Sequence, residues 1–285
     1  MDRWQALFLI GITSVLAFVW LYRKVTGRDF LFGSYLTYTF VFFLSVLLSV
    51  TTPFVVAVIL LALLSFYALR EYFSLVDIRL QDRLGVLGAY LLIPFLYYFV
   101  AIDWYGMFII SVPVYGFLLI PLLIALGGKE ARGTIFSIGA IDFGLFLYIF
   151  CLGHIAYLLS YSPWMPVMLI LIVAVSDAVS MVLRRQRRTT AGTVLSIYLL
   201  SLPLTVGIAL LLAPWTGIPW VHSLILGAMI PLLAMMGRFT GLYIKRDLVA
   251  EDDPLLPGKG QVLDNLRSFF YAAPVTFHYI RYFLK

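Results

Sequence analysis

Long apolar runs separated by short polar loops occupy almost the whole chain. Apolar stretches of about 20 residues are long enough to cross a bilayer as helices. The runs lie at Ala6–Tyr22, Phe30–Val50, Phe54–Leu69, Leu84–Ile102, Met107–Leu126, Ile135–Leu159, Pro166–Leu183, Thr190–Leu212, Val221–Ile244 and Ser268–Leu284. Phe54–Leu69 is short, and the last run contains His278 and Arg281. The pattern therefore predicts an all-α, polytopic integral membrane bundle with nine to ten transmembrane helices.

The composition supports one membrane domain. The chain is 63% hydrophobic and only 12% charged, with a mean hydropathy of +1.02, whereas soluble domains carry about 25% charged residues. No tandem repeat or soluble domain is evident, so we expect a single transmembrane domain over 1–285, with N-terminal helices in 1–126 and a C-terminal half in 135–285. The first run lacks a basic leader beyond Arg3, which favours a membrane helix over a signal peptide. The single cysteine, Cys151, lies in an apolar run and is interpreted as a packing residue.

Basic residues concentrate in alternate loops. Those loops contain Arg23, Lys24 and Arg28; Arg70, Arg79 and Arg83; Lys129 and Arg132; Arg184 to Arg188; and Lys245, Arg246 and Lys259. The intervening loops carry no Lys or Arg, so the positive-inside rule puts the basic loops in the cytoplasm. We expect an integral protein of a bacterial inner (cytoplasmic) membrane whose polar site faces the cytoplasm. Because topology accounts for the net charge of +6, no nucleic-acid partner is implied.

One long polar segment, 245–267, interrupts the apolar pattern near the end. It holds five carboxylates and a Pro-Gly-Lys-Gly turn at 257–260. Carboxylates beside a glycine-rich basic turn are the groups that metal-assisted phosphate chemistry uses. The segment therefore predicts a phosphate site, and its acidic residues are Asp247, Glu251, Asp252, Asp253 and Asp264.

Charged residues inside the apolar runs are costly and indicate function or pairing. Asp177 is the first candidate, and Arg238 should find an acidic partner, for which Asp177 is the first choice. A carboxylate satisfied by a neighbouring helix is the alternative for Asp177. Asp142 is interpreted as a structural polar contact, and His154 as a hydrogen-bonded residue of the bundle, because no ligand spacing surrounds it.

Two further basic stretches allow two interpretations each. The arginines at 184–188 are either anchoring charges at a helix end or, with Thr190 opening the next helix, a phosphate site. In the same way, the charges of Leu69-Arg70-Glu71 either end a helix at the membrane interface or take part in a site.

The polar segment resembles the C-terminal signature of phosphatidate cytidylyltransferases, also called CDP-diacylglycerol synthases. Lys245-Arg246 matches the basic pair, and Asp252 falls at the aspartate of Lys-Asp. The turn and the last element match through Pro257-Gly258, Gly260 and Asp264, and Ala272 to Val275 resembles the family's last helix. Upstream, Asp177 resembles the aspartate before the Ser-Pro-x-Lys-Thr loop, and Leu69-Arg70-Glu71 resembles an N-terminal helix end.

The chain departs from this signature at several positions. Arg238 stands where the family has a metal-binding aspartate, and Arg267 replaces the final aspartate. The basic loop is shortened to 187–192, and the spacing to Pro257 is one residue shorter. Replacements elsewhere are Gly241 for a serine, Glu251 for a lysine, Lys259 for a histidine, Gln261 for a glycine and Asn265 for an arginine.

The resemblance implies an enzyme that forms a CDP-activated lipid from CTP and a phosphatidate-like lipid phosphate, with Mg²⁺ as cofactor. Asp264 and Asp252 would be catalytic, and Asp264 with Asp177 would hold metal. Nucleotide or lipid phosphate would contact Lys245, Arg246, Gly258, Lys259, Gly260, Arg187, Arg188 and Thr190.

Two alternatives remain beside the enzyme. A guanidinium at Arg238 replaces the charge of a metal but not its open coordination sites, which favours a silent relative that binds lipid or a membrane partner. A CTP-using lipid kinase is the other alternative. A channel is disfavoured because no pore-lining polar periodicity is evident, and an inverted-repeat transporter because the polar segment has no counterpart in the first half. The sequence leaves a homodimer open.

Overall fold

The computed structural model describes residues 2–27, 33–127, 130–186, 191–248 and 261–284. These residues form eleven helices and one short 3₁₀ turn, Leu80–Asp82. The helices are α1 Arg3–Thr26, α2 Gly33–Thr51, α3 Phe54–Leu75, α4 Arg83–Ala101, α5 Tyr105–Gly127, α6 Thr134–Tyr161, α7 Trp164–Gln186, α8 Ala191–Thr216, α9 Trp220–Leu248, α10 Gln261–Leu266 and α11 Phe269–Leu284.

Eight of the described helices are long and apolar enough to cross a membrane, namely α1 and α3 to α9. The prediction of a polytopic helical membrane bundle is confirmed. The run predicted at Phe54–Leu69 extends to Leu75, which gives α3 22 residues and a full span. The described apolar part of α2, Tyr35–Thr51, is shorter, and α11 has 16 residues.

Helices α6 and α7 lie at the centre of the bundle, and α1 is the least buried of the eight spans. A π-helical segment, Phe146–Cys151, interrupts α6. Gly144 precedes this segment, and a Cβ there would lie 2.5 Å from the ring of Tyr72 on α3. The missing side chain thus lets the Tyr72 ring pack directly on α6.

The basic end of the bundle is the end that carries Arg79, Lys245 and Arg267. Arg79 joins two of its loops: it pairs with Asp82 at 2.7 Å and donates to the backbone carbonyls of Glu130 and Arg132. The ends of α3 and α9 meet α10 at the same place, as described below. Loops that the charge pattern assigns to one side of the membrane therefore lie together.

The chain's C-terminal arginine lies at the opposite end. Arg281 donates to the Tyr161 hydroxyl at 2.6 Å, and its guanidinium carbon lies 3.5 Å from the centroid of the Tyr105 ring. Nearby, the Tyr157 hydroxyl donates to Asp103 at 2.7 Å. Aromatic contacts therefore stabilise the Arg281 cation at the end of the bundle opposite the basic loops, where the positive-inside rule does not favour a cation.

Candidate functional site at the basic end

The turn between α10 and α11 packs directly against a glycine face of α9. A Cβ on Gly237 would lie 2.2 Å from the carbonyl oxygen of Arg267, and one on Gly241 would lie 2.5 Å from the Arg267 Cβ. Residues four apart share a helix face, so the two glycines form one contact surface. The contact brings Ser268 and α10 to the side chains of α7 and α9.

A buried ion pair lies beneath this turn. Asp177 on α7 and Arg238 on α9 are each 4% exposed, and the Arg238 Nη1 pairs with Asp177. Arg238 also donates to the Ser176 hydroxyl at 3.3 Å, and Ser268 donates to Asp177 at 2.9 Å. The predicted Arg238–Asp177 pair is confirmed. Three segments that are distant in sequence thus share one desolvated carboxylate.

A second charged cluster lies nearer the surface. Asp264 on α10 pairs with Lys245 on α9, and Arg267 donates to the other oxygen of Asp264 at 3.1 Å. Each of the three side chains is between 18% and 35% exposed, so solvent reaches the cluster. Two cations bound to one carboxylate leave this cluster with a net positive charge, which suits phosphate groups.

Glu71 joins α3 to this arrangement. Its carboxylate accepts a hydrogen bond from the backbone amide of Val262 at 2.8 Å, so it fixes the start of α10. Amides in the first turn of a helix lack partners within the helix and need such an acceptor. The sequence indicated Glu71 as part of Leu69-Arg70-Glu71, either a helix end or part of a site. It could not indicate the partner, because a contact between residues 191 positions apart has no local signal.

Tyr148 is the functional candidate that the sequence did not indicate. It lies in the π-helical segment of α6, is 1% exposed, and its hydroxyl has no hydrogen-bond partner among the described residues. Its ring lies 5.4 Å from that of Tyr72 and 5.3 Å from that of Phe270. A buried donor without a partner is costly, and π-helical segments occur often at functional sites.

Other predicted site residues lie around this centre or outside the described part. Arg246 is exposed and lines a cavity of about 560 Å³ together with Val194, Phe239 and Tyr243. Asn265 is buried on α10, and Gln261 begins that helix. The remaining residues that the sequence indicated lie outside the described residues, namely Arg187, Arg188, Thr190, Glu251, Asp252, Gly258, Lys259 and Gly260.

Two polar residues of the apolar runs do not take part in the two charged clusters. His154 is fully buried, with its Nδ1 2.7 Å from the Phe150 carbonyl oxygen, which fits the predicted bundle residue. Asp142 on α6 has both carboxylate oxygens buried, with no hydrogen-bond partner in the described ranges. The structural polar contact that the sequence predicts for Asp142 is therefore not observed among those residues.

The described carboxylates do not fit a magnesium site. Within the described ranges, no group of three or more His, Cys, Asp or Glu side chains is arranged to hold a metal ion. Asp177 is engaged by Arg238 and Ser268, and Asp264 by Lys245 and Arg267. Mg²⁺ is usually bound through one or two carboxylates with open coordination positions, and here guanidinium and ammonium groups occupy those carboxylates.

Comparisons with known proteins show the family of this chain. A protein of Escherichia coli (strain K12), "Uncharacterized protein YnbB", is 29% identical over 238 residues, which cover 78% of each chain. No solved structure gives a significant match. The model of the Cytidylyltransferase family matches residues 34–283, which include every helix of the two charged clusters. The chain therefore belongs to the cytidylyltransferase family.

Proposed function

We propose that this protein transfers the cytidylyl group of CTP to a lipid phosphate at the basic end of the bundle, facing the cytoplasm. An oxygen of the lipid phosphate forms a bond to the α-phosphorus of CTP, the bond between that phosphorus and the bridging oxygen breaks, and pyrophosphate leaves. The observation that carries the proposal is that three segments of the chain meet at the basic end. They contribute Asp177 from α7, Arg238 and Lys245 from α9, and Asp264 and Arg267 from α10 and the turn after it.

In this proposal the cations of the site act on phosphate oxygens. Lys245 and Arg267 are held by Asp264 in a partly exposed cluster, where both can contact a triphosphate. Fixed positive charges stabilise the charge that builds up on the phosphates during transfer. Asp264 then acts as a positioning residue for these two cations. Mg²⁺ is implied by the family, yet the described carboxylates supply no open site for it.

The first test measures turnover. Purified full-length protein in mixed micelles receives labelled CTP, phosphatidate and MgCl₂, and CDP-lipid and pyrophosphate are quantified. Asp264→Asn should lower the rate about a hundredfold, because Lys245 and Arg267 would no longer be held in place and a misplaced catalytic group costs about that factor in rate. Lys245→Gln should lower it similarly, with little further loss in the double variant. Asp77→Asn, an exposed carboxylate of the α3–α4 loop, is the matched control and should keep the wild-type rate.

A second candidate function has its own observation. Arg238 stands at the position where the resemblance places a metal-binding aspartate, and it pairs with Asp177. This pair favours a catalytically silent homologue that binds lipid or a membrane partner. Absence of both pyrophosphate and CDP-lipid from the wild-type protein would support it. Appearance of Mg²⁺-dependent turnover in the variant Arg238→Asp/Arg267→Asp would then identify these two substitutions as the cause.

A further inference from the structure

A groove of about 550 Å³ opens between α2 and α3 beside the charged clusters. Its walls change in character along their length. Val41, Leu60 and Leu63 form the inner part, whereas Thr37, Arg70 and Ser74 lie towards the basic end. A surface that is apolar along one part and polar at the other matches an amphiphile with a polar head group.

The dimensions agree with one leaflet of a bilayer. Leu60 and Arg70 are ten residues apart on α3, which corresponds to about 15 Å along a helix. Half of a hydrocarbon core of about 30 Å has the same length. An acyl chain that lies along Leu60 and Leu63 therefore brings its head group level with Arg70.

The polar end of the groove holds one cation, Arg70, and one carboxylate, Glu71, and the cation is the group that favours an anionic head group. Arg70 is exposed and has no ion pair or hydrogen bond to any other residue that the structure describes. The carboxylate next to it in sequence, Glu71, accepts from the Val262 amide. A guanidinium can bind a phosphate with two parallel hydrogen bonds.

The groove also adjoins the candidate site. Val262 lines its end, and Asp264, two residues later, holds Lys245 and Arg267. A head group beside Arg70 therefore lies next to the helix that carries the second charged cluster.

We propose that the α2–α3 groove binds a lipid with a terminal phosphate, its hydrocarbon along Leu60 and Leu63 and its phosphate on Arg70. This inference rests on the proposed function, since it identifies where the lipid substrate binds. The occupant is a membrane lipid delivered from within the bilayer, because the apolar wall of the groove leads to its phosphate end.

The test measures lipid binding separately from turnover. Fluorescent phosphatidate and fluorescent phosphatidylcholine are titrated into full-length protein in neutral detergent micelles. Arg70→Gln should weaken phosphatidate binding about tenfold or more and leave phosphatidylcholine binding unchanged, since hydrogen bonds to charged groups contribute about 1.5–3 kcal/mol. Leu63→Trp, which fills the groove, should weaken binding of both lipids.

Matched controls lie elsewhere on the same protein. Arg83→Gln removes an exposed cation at the same end of the bundle, and Leu118→Trp adds bulk to an apolar groove between α4 and α5. Both should bind phosphatidate as the wild type does. Unchanged phosphatidate binding in both Arg70→Gln and Leu63→Trp would overturn the groove assignment, even if turnover is observed. Weakened binding in those variants of a protein without turnover would support the groove and overturn the enzymatic proposal alone.

Discussion

The buried ion pair between Asp177 and Arg238 makes a sharp prediction about stability. Replacing Asp177 by Asn keeps the size of the side chain but leaves the Arg238 guanidinium buried with only Ser176 as a partner. A guanidinium keeps its proton at any ordinary pH, so this charge cannot be neutralised. We therefore expect Asp177→Asn to destabilise the protein strongly.

The magnitude follows from the burial of both side chains. Removing one partner of a buried pair typically costs about 3–5 kcal/mol, because the other charge stays desolvated without compensation. The reverse change, Arg238→Met, leaves Asp177 with the hydrogen bond from Ser268 at 2.9 Å. Because this hydrogen bond still satisfies one oxygen of the carboxylate, the variant should lose only about 1–3 kcal/mol.

A double-mutant cycle measures the pair itself. Unfolding of the wild type, Asp177→Asn, Arg238→Met and the double variant is followed by denaturant titration in one detergent. The double variant should be more stable than the sum of the single losses predicts, by about 2 kcal/mol. Tyr97→Phe serves as a control, because it removes a buried hydrogen bond to Ser65 outside the site. Additive single losses, or a smaller loss for Asp177→Asn than for Arg238→Met, would refute the reasoning.

Two further predictions concern the packing and the chemistry of the site. Gly237→Ala should displace the turn at Arg267, because the new Cβ would lie 2.2 Å from the carbonyl oxygen of Arg267. This variant should lower both thermal stability and turnover. The control Gly11→Ala, whose Cβ would have no atom within 4 Å, should change neither. Tyr148→Phe should raise stability or leave it unchanged, since its hydroxyl lacks a described partner, but it should lower CTP-dependent turnover. The control Tyr97→Phe should lower stability, because it removes a hydrogen bond to Ser65, and should not lower turnover. A stability loss in Tyr148→Phe would contradict a role in binding.

Hydrophobic patterning was sufficient to predict the fold class. Membrane helices satisfy their own backbone hydrogen bonds, so apolar runs of sufficient length directly indicate spans. The prediction was less exact where a helix continues beyond its apolar part. α3 is the example: its last six residues include Arg70 and Glu71, which are too polar to count in an apolar run but remain helical.

Part of the candidate site was also predictable. Arg238 is a charge inside an apolar run, and its need for a partner indicated Asp177. The remaining contacts depend on tertiary packing that has no local pattern. In the sequence, Gly237 and Gly241 do not differ from other small residues of a membrane helix. Only the structure shows that the turn at Arg267 packs on them. Similarly, the sequence shows Tyr148 only as an aromatic residue in an apolar run, and the structure shows that its hydroxyl is buried without a partner among the described residues.

The two arginine substitutions change the charge of the site by as much as a pair of metal ions would. Asp177, Asp264 and Glu71 carry three negative charges, and Arg238, Lys245 and Arg267 carry three positive charges, so these six described side chains are neutral together. With aspartate at positions 238 and 267, as in the family signature, the same six would carry a charge of about −4, which two divalent cations would balance. Replacing two carboxylates by two guanidinium groups makes the same difference of four charges, but it provides no open coordination positions. A single reversal at Arg238 restores only half of the difference, so we expect Mg²⁺-dependent turnover in the double variant Arg238→Asp/Arg267→Asp and not in Arg238→Asp alone.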